Sequence, residues 1–265
     1  MLRWISGVVI AIIVVLLLFF APEVGVQGTV VVLSMLGLWE YFNLTQQGVS
    51  ALTRGLGILI GGGSTFLLIF WAHTPDHFLT IFASILILTF LIHFKGSADF
   101  EERFRKMVFF YFGIMYTSLL FSYWGWMRSL PQWHFWVFIM LGSTVAADVG
   151  GYVVGKNFGK HRLAPLLSPG KTLEGLIGGF IFATGAAFIV RTLFRPDFPV
   201  LHLLSVSSAI SLLGPVGDLS ESLIKRGVHV KDSGNLIPGH GGLLDRVDAL
   251  LFTGPLVYFL AKFYS

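Results

Sequence analysis

Long apolar runs recur along the whole chain, and they constrain the fold more than any other feature. Several reach the roughly 17–25 residues that an α-helix needs to cross a bilayer. Only 12% of the 265 residues are charged, whereas soluble domains carry about 25%. The sequence therefore predicts an all-α, polytopic integral membrane protein with about nine spans, at roughly 5–21, 26–44, 56–71, 79–94, 108–127, 133–155, 175–194, 199–224 and 248–264.

The distribution of Lys and Arg predicts a cytoplasmic N-terminus. In that orientation fourteen of the 18 Lys and Arg residues face the cytoplasm, and four (Arg128, Arg191, Arg195 and Lys262) face the other side. Cytoplasmic loops of membrane proteins normally carry such an excess. The same excess explains the pI near 9.4 without a nucleic-acid partner, because basic loops lie against anionic lipid.

Two further features bear on organisation. Arg3 before the first apolar run resembles a signal peptide, but FFAPEVG has no A-x-A cleavage site, so a retained first span is the preferred interpretation. Residues 97–107 place their apolar side chains on one face, which predicts a short interfacial helix. We expect residues 1–130 to form N-terminal membrane helices, for a lipid pocket or oligomer contacts, and residues 131–265 to form the catalytic region with cytoplasmic polar loops.

Acidic side chains in the eighth predicted span are the first sign of chemistry, because ionisable groups in membrane spans are costly. Asp218, Glu221 or Ser222, and Lys225 fall at i, i+3 or i+4, and i+7, so they share one face of a helix. An acid, a hydroxyl and an amine would project together near the cytoplasmic end of this span.

The ninth span begins with a second acidic pair, Asp245 and Asp248, which also share a helix face. One explanation is the favourable interaction of acids with a helix N-terminus. The other is Mg²⁺, which proteins hold through one or two carboxylates beside substrate phosphates. We predict metal ligands at Asp218, Asp245 and Asp248. Asp148 in the sixth span needs a partner, either Lys156 or the metal.

The loop between these two spans, GVHVKDSGNLIPGHGG, combines glycines with cations. Glycines leave the backbone free to point its amides at an anion, and Arg can grip a phosphate with two hydrogen bonds. His240 could donate to phosphate, carry a proton, or cap the next helix. His229 lacks this context and is interpreted as an ordinary loop residue.

A second polar stretch joins the sixth and seventh spans and contains SPGKT. It resembles the end of a phosphate-binding G-x-x-x-x-G-K-[ST] loop, but Pro165 stands where the first glycine is required and no strand is expected before it. A nucleotide hydrolase is therefore excluded. Ser168, Lys171 and Thr172 remain as donors, and Glu174 as a helix cap or metal ligand. The absence of cysteine excludes thiolate sites and disulfides.

Residues 222–248 resemble the signature of the phosphatidate cytidylyltransferase (CDP-diacylglycerol synthase) family. The similarity holds over SLIKR, four further residues and KDSGNLIPGHGGLLDRVD. Upstream, Asp148, Tyr152, Gly155, FGK at 158–160 and SPxKTxEG at 168–175 are also similar. The resemblance covers roughly residues 142–250, and the first five spans agree with the family only in being hydrophobic.

The resemblance implies an enzyme that combines CTP with phosphatidate to give CDP-diacylglycerol and pyrophosphate, with Mg²⁺ and a second, monovalent cation such as K⁺. It also implies a bacterial inner-membrane protein, active site facing the cytoplasm, with homodimerisation as a family expectation. The implied catalytic residues are Asp218, Lys225, Arg226, Lys231, Asp232, His240, Asp245, Arg246 and Asp248, and the substrate-binding residues are Lys171, Thr172, Glu174, Ser222, Gly241 and Gly242.

Two alternatives remain from the residues themselves. A sibling enzyme would use CTP on another lipid phosphate, such as an isoprenoid phosphate, as a cytidylyltransferase or a kinase. An ion-coupled transporter would use Asp148 and Asp218 as cation sites, although transporters place such groups at the bilayer midplane within repeated broken helices. The acids here gather at one rim and no repeat is visible, which favours the enzyme.

Overall fold

The structure is a computed structural model that describes residues 2–72, 74–94, 99–230, 233–234, 236 and 241–264, and the side chains of 2–6 and 8 fall outside that description. Its helices are α1 (Leu2–Phe20), α2 (Glu23–Thr45), α3 (Ala51–Phe70), α4 (Pro75–His93), α5 (Phe100–Ile114), α6 (Leu120–Arg128), α7 (Trp133–Phe158), α8 (Leu173–Phe194), α9 (Val200–Gly227) and α10 (Leu244–Tyr264). A π-helical turn, Met115–Leu119, joins α5 to α6. Three predicted site residues, Lys231, Asp232 and His240, lie outside the described residues.

The predicted all-α, polytopic class is confirmed. Within the described part of the chain, eight helical segments are long and apolar enough to cross a membrane, and Val9–Phe20 in α1 is a shorter apolar segment. One prediction was wrong in detail. A separate interfacial helix was expected at 97–107, but residues 100–107 are the start of α5, which continues through the π-helical turn into α6 as one segment, Phe100–Arg128. Residues 97 and 98 lie outside the described residues. No proline or glycine interrupts residues 99–112, so nothing in that sequence ends the helix there.

A small antiparallel hairpin was not predicted. Strands β1 (Arg162–Ala164) and β2 (Ser168–Thr172) pair with Arg162 opposite Thr172 and Ala164 opposite Ser168. The SPGKT segment is therefore itself a strand, and a short strand does precede it. The hydrolase remains excluded, because Pro165 still replaces the required glycine and the SPGKT segment extends as an edge strand rather than a loop wrapped around a phosphate.

The chain divides into two compact units. The first comprises residues 1–126 and 232–244, and the second residues 127–231 and 245–265. In the first unit, Leu38, Tyr41 and Phe42 of α2 are fully buried, and the ring of Phe42 stacks on Phe110 with centroids 5.0 Å apart. Gly57 of α3 lies against both rings, where a Cβ would approach within 2.5–2.6 Å.

Glycines bring the helices of the second unit into backbone contact. A Cβ on Gly178 of α8 would lie 2.8 Å from the carbonyl oxygen of Gly150 in α7. A Cβ on Gly217 of α9 would lie 2.5 Å from the carbonyl oxygen of Asp248 in α10. These close approaches join α7 to α8 near Asp148, and α9 to α10 near Asp218 and Asp248.

Candidate active site

A cavity of about 310 Å³ lies in the second unit between α7, α8, β2 and α9. Its charged lining residues are Asp148, Lys171 and Asp218, one from α7, one from β2 and one from α9. Tyr152 and Ser168 also line it. The two polar stretches singled out in the sequence, SPGKT and the acidic end of the eighth span, therefore meet at one cavity.

Lys171 connects the hairpin to α9. Its Nζ donates to Asp218 Oδ2 at 2.7 Å and to the carbonyl oxygen of Pro215 at 3.0 Å. Both side chains stay partly accessible, with 21% of Lys171 and 37% of Asp218 exposed. The charge of Asp148 interacts with both of them. The lysine whose charge acts on Asp148 is thus Lys171, whereas Lys156 Nζ lies 3.5 Å from the Tyr152 hydroxyl. The metal expected as the other possible partner of Asp148 remains a prediction.

A second ionic group lies on the facing sides of α9 and α10. Lys225 Nζ is 2.9 Å from Glu221 Oε2 and 2.6 Å from Asp245 Oδ1. Only 2% of the Glu221 side chain and 9% of the Asp245 side chain are exposed. The other oxygen of Glu221, Oε1, is buried and has no hydrogen-bond partner among the described residues.

The charge of Asp248 acts on members of both ionic groups. Its charge interacts with Glu221, Asp218 and Asp148, and the close crossing at Gly217 brings its backbone against α9. Asp148, Asp218, Glu221, Asp245 and Asp248 form what we call the acidic cluster. Three of its five carboxylates form ion pairs with two ammonium groups: Asp218 with Lys171, and Glu221 and Asp245 with Lys225.

The acidic cluster matches a hard divalent cation in its chemistry. Carboxylate oxygens are the ligands that Mg²⁺ prefers, the acids outnumber the ammonium groups five to two, and Glu221 Oε1 is a buried acceptor without a donor. Among the described residues, no three His, Asp or Glu side chains already form a metal-ligand set. Lys171 and Lys225 occupy the positions directly beside Asp218 and Asp245 instead.

Thr172 and Glu174 accept hydrogen bonds from backbone amides in this structure. The Thr172 hydroxyl accepts from the Gly175 amide at 3.0 Å and so caps α8. The Glu174 carboxylate accepts from the backbone amides of Lys160 and His161 at 3.0–3.3 Å, and its Oε1 lies 2.6 Å from His161 Nδ1. Both residues hold the hairpin that presents Lys171. Their predicted substrate contacts remain a prediction.

The remaining predicted residues lie around the end of α9 and the start of α10. Ser222 Oγ donates to Asp218 Oδ1 at 3.4 Å, so it orients a member of the acidic cluster. Arg226 and Arg246 are exposed. Gly241 has a φ of +85°, a conformation that favours glycine, and Gly242 is closely packed against Glu40.

Sequence reasoning gave too little weight to two acids. Glu221 was considered only as an alternative to Ser222, and Glu40 in α2 was not considered. Glu40 is 1% exposed and Glu221 2% exposed. Both lie within predicted spans, where an ionisable residue is a functional candidate by default, so the signal was present in the sequence.

The comparison with known families identifies the family of the chain. The model of the cytidylyltransferase family matches residues 1–264, almost the whole chain. The chain belongs to the cytidylyltransferase family. Membership makes it a membrane-embedded nucleotidyltransferase, and it confirms the family resemblance seen in residues 142–250. It also extends that resemblance to the first five spans.

Three relatives illustrate the similarity. The phosphatidate cytidylyltransferase of Bacillus subtilis is 38% identical over 191 residues, 71% of this chain and 68% of the relative. That of Staphylococcus saprophyticus is 30% identical over 260 residues, 93% of this chain and 95% of the relative. The uncharacterized Escherichia coli protein YnbB is 39% identical over 158 residues, 58% of this chain and 53% of the relative.

Proposed function

We propose that this cytidylyltransferase uses CTP and phosphatidate to make CDP-diacylglycerol and pyrophosphate for phospholipid synthesis. The observation that carries the proposal is the cavity that contains Asp148, Lys171 and Asp218 within membrane-spanning helices. It is supported by relatives that are named phosphatidate cytidylyltransferases. A charged cavity among apolar helices suits a substrate with an anionic head and a hydrocarbon body.

The proposed reaction needs positioning and charge neutralisation more than acid–base chemistry. A phosphate oxygen of phosphatidate attacks the α-phosphorus of CTP, a new P–O–P linkage forms, the bond between the α-phosphorus and its bridging oxygen breaks, and pyrophosphate leaves. The nucleophile already carries about −1.5 to −2 charge at pH 7, so no strong base is required. This agrees with the absence of a Ser–His–Asp arrangement in the described site.

Cationic side chains have to bring two anionic substrates together in this reaction. Lys171 is partly exposed in the cavity and is the described amine best placed to meet a phosphate. Lys225 is 13% exposed and is held between Glu221 and Asp245, so we infer that it balances the acidic cluster. Arg226 and Arg246 are exposed and can reach substrate phosphates, as can Lys231 by prediction.

Mg²⁺ is the proposed cofactor, and the residues that would hold it are Asp218, Asp245 and Asp248, with Asp148 and Glu221 beside them. When bound, Mg²⁺ offsets the negative charge of the triphosphate and of the leaving pyrophosphate. A second, monovalent cation such as K⁺ remains an expectation from the family resemblance.

An apolar groove next to the cavity supports a lipid substrate. It has a volume of about 240 Å³, lies between α8 and α9, and is lined by Leu176, Ile177, Phe180, Ser208, Ser211 and Leu212. Leu176 and Ser211 line the polar cavity as well. A phosphatidate head group in the cavity would therefore have a continuous apolar path for an acyl chain. We propose that the site opens to the cytoplasmic face of the bacterial inner membrane, where CTP is available.

The decisive experiment is a substrate panel. Detergent-purified protein is given CTP labelled at the α-phosphate, Mg²⁺, and one lipid phosphate at a time: phosphatidate, lysophosphatidate or an isoprenoid phosphate. We expect label in the lipid product with phosphatidate and release of pyrophosphate. Label that enters only an isoprenoid product would support the sibling enzyme, and label that never enters lipid would contradict nucleotidyl transfer.

Asp245→Asn tests the acidic cluster in the same assay. The variant keeps the size of the side chain but removes the charge, so it should accumulate in the membrane normally and lose product formation. Asp76→Asn is the matched control, because Asp76 is an exposed acid in the first turn of α4. Turnover that survives in Asp245→Asn would remove Asp245 from the proposed metal site.

Leu212→Trp tests the apolar groove. A larger side chain there should raise the KM for long-chain phosphatidate by about tenfold, since losing a favourable apolar contact of 1–3 kcal/mol changes binding by that order. The KM for dihexanoyl phosphatidate and for CTP should stay unchanged. Leu201→Trp, at an exposed position of the same helix, is the control. Equal effects on short and long chains would assign the groove no role in lipid binding.

A further inference from the structure

Glu40 is a buried carboxylate that the proposed reaction does not use. It lies in α2, within an apolar membrane-spanning helix, and is 1% exposed. Burying a carboxylate costs several kcal/mol unless charges or hydrogen bonds compensate it. Its contacts therefore indicate what the chain gains from keeping an acid at this position.

The Glu40 carboxylate binds the backbone at the beginning of α10. Oε1 accepts from the Leu243 amide and Oε2 from the Leu244 amide, both at 2.8 Å. Ser233 Oγ lies 3.5 Å from Oε2. The first amides of a helix have no partner within it, and hydrogen bonds from amides to a charged acceptor are stronger than neutral ones. One side chain thus anchors two successive residues of another segment.

Two glycines allow the loop to close on this carboxylate. A Cβ on Gly242 would overlap the Ser233 hydroxyl and lie 2.7 and 2.8 Å from the two Glu40 oxygens, and a Cβ on Gly234 would lie 2.9 Å from Oε1. Real Cβ atoms do not approach that closely. The glycines predicted to form an anion nest for substrate therefore include two that enclose an anion of the protein itself.

The described residues whose contacts with Glu40 are given above belong to the signature at 222–248, and Leu243 and Leu244 directly precede Asp245 and Arg246 in the chain. We propose that Glu40 is a positioning residue for nucleotidyl transfer: it fixes the backbone at the end of the glycine loop, and so the point from which Asp245 and Arg246 extend. The inference rests on the proposed function, because these two residues are assigned to that reaction.

A carboxylate suits this role better than any other side chain. Its two oxygens can accept from two neighbouring amides at once, which fixes both position and direction. Glutamine has one acceptor and would turn an NH₂ group toward the second amide. Aspartate is shorter by one methylene and could not keep both contacts without a backbone shift. Graded losses among these variants are therefore expected.

Glu40→Gln is the main test, with Glu23→Gln as the matched control on an exposed position of the same helix. We expect kcat to fall about 100-fold, the effect of a misplacement of about 1 Å, while the KM for lipid changes little. Hydrogen exchange of the amides in residues 241–250 should accelerate. The thermal midpoint should show that the purified variant is folded under assay conditions.

A second variant separates loop positioning from general stability. Gly242→Ala should displace the Ser233 hydroxyl together with the Glu40 carboxylate to which it donates, and lower kcat in the same way. Gly28→Ala, where a Cβ meets nothing within 4 Å, should not. Because both changes break one contact, the double variant Glu40→Gln/Gly242→Ala should be no slower than the slower single variant. Independent structural defects would instead multiply.

Three results would overturn the proposal: an unchanged kcat in Glu40→Gln, unchanged exchange at 241–250, or a loss of activity that only follows the loss of folded protein. Failure of the proposed function is a separate outcome. The kinetic measurements use whichever lipid phosphate the wild-type enzyme accepts, and the exchange measurement does not depend on turnover.

Discussion

Glu40 and Glu221 are two glutamates with the same burial and different surroundings. Each lies in a membrane-spanning helix, one in the first unit and one in the second, and each is at most 2% exposed. Both oxygens of Glu40 accept backbone amides at 2.8 Å. Only one oxygen of Glu221 is paired, with Lys225, and the other has no hydrogen-bond partner among the described residues.

Both oxygens of Glu40 are therefore hydrogen-bonded within the protein, whereas Glu221 has one hydrogen-bonded oxygen and one without a partner among the described residues. Burying a carboxylate without hydrogen bonds or charges to compensate it costs free energy. We therefore expect such a carboxylate where another group, such as a ligand, supplies the missing interaction. The amides around Glu40 complete that contact within the protein, which fits a role in holding the backbone. The acidic surplus around Glu221 suits the Mg²⁺ that we propose, which fits a role in the proposed reaction.

The largest expected effect comes from removing the ammonium group of Lys225, which pairs with Glu221. Lys225→Met would leave Glu221 and Asp245 buried without their shared partner, and breaking a buried pair costs about 3–5 kcal/mol. We expect a strongly lowered thermal midpoint in detergent and no activity. Lys262→Met, at an exposed position of α10, is the control. A wild-type midpoint in Lys225→Met would mean that the ionic group contributes nothing to stability.

Glu221→Gln compares the two glutamates directly. The change should raise the Mg²⁺ concentration needed for half-maximal activity by about 10–100-fold, which is usual when a group supporting a metal site is lost. The fold should survive, because Lys225 keeps Asp245 at 2.6 Å. Glu40→Gln should leave the Mg²⁺ requirement unchanged while lowering kcat. The comparison fails if both variants shift the Mg²⁺ requirement equally.

The fold was largely predictable because apolar length decides it. Nine apolar runs specified the helices, and burial in a bilayer leaves the backbone few alternatives to a helix. The β1–β2 hairpin was missed because strands of three and five residues contain too few residues to show an alternating pattern. The continuity of α5 was missed because amphipathicity in 97–107 was interpreted as a separate element, although no breaker follows it.

The candidate site was predictable where one helix carries it and unpredictable where segments distant in sequence meet. The stripe of Asp218, Ser222 and Lys225 follows from helical spacing alone. The pairing of Lys171 with Asp218 joins residues 47 positions apart, and Glu40 meets Leu244 across 204 positions. No local pattern reports such contacts. What the sequence does show is a charge within an apolar span, and that signal identified Asp148 but was not applied to Glu40.

Substitution of His229 gives the smallest expected effect. We expect its side chain neither to hold the backbone, as Glu40 does, nor to take part in the reaction, as we propose for Glu221. It follows the end of α9 with a φ of +61°, its amide donates to Arg226 O at 3.1 Å, and the Val230 amide donates to Lys225 O at 2.9 Å. These two hydrogen bonds are those of a Schellman motif, in which glycine is the usual residue at the left-handed position that His229 occupies here. His229→Gly should therefore keep full activity and an equal or slightly higher thermal midpoint. His229→Val should lose about 1–2 kcal/mol, because a branched side chain opposes the left-handed conformation. A loss of turnover in His229→Gly would instead assign the imidazole to the reaction. His229 would then belong with Glu221, among the residues that take part in the chemistry at this end of α9, and the interpretation of it as an ordinary loop residue would be wrong.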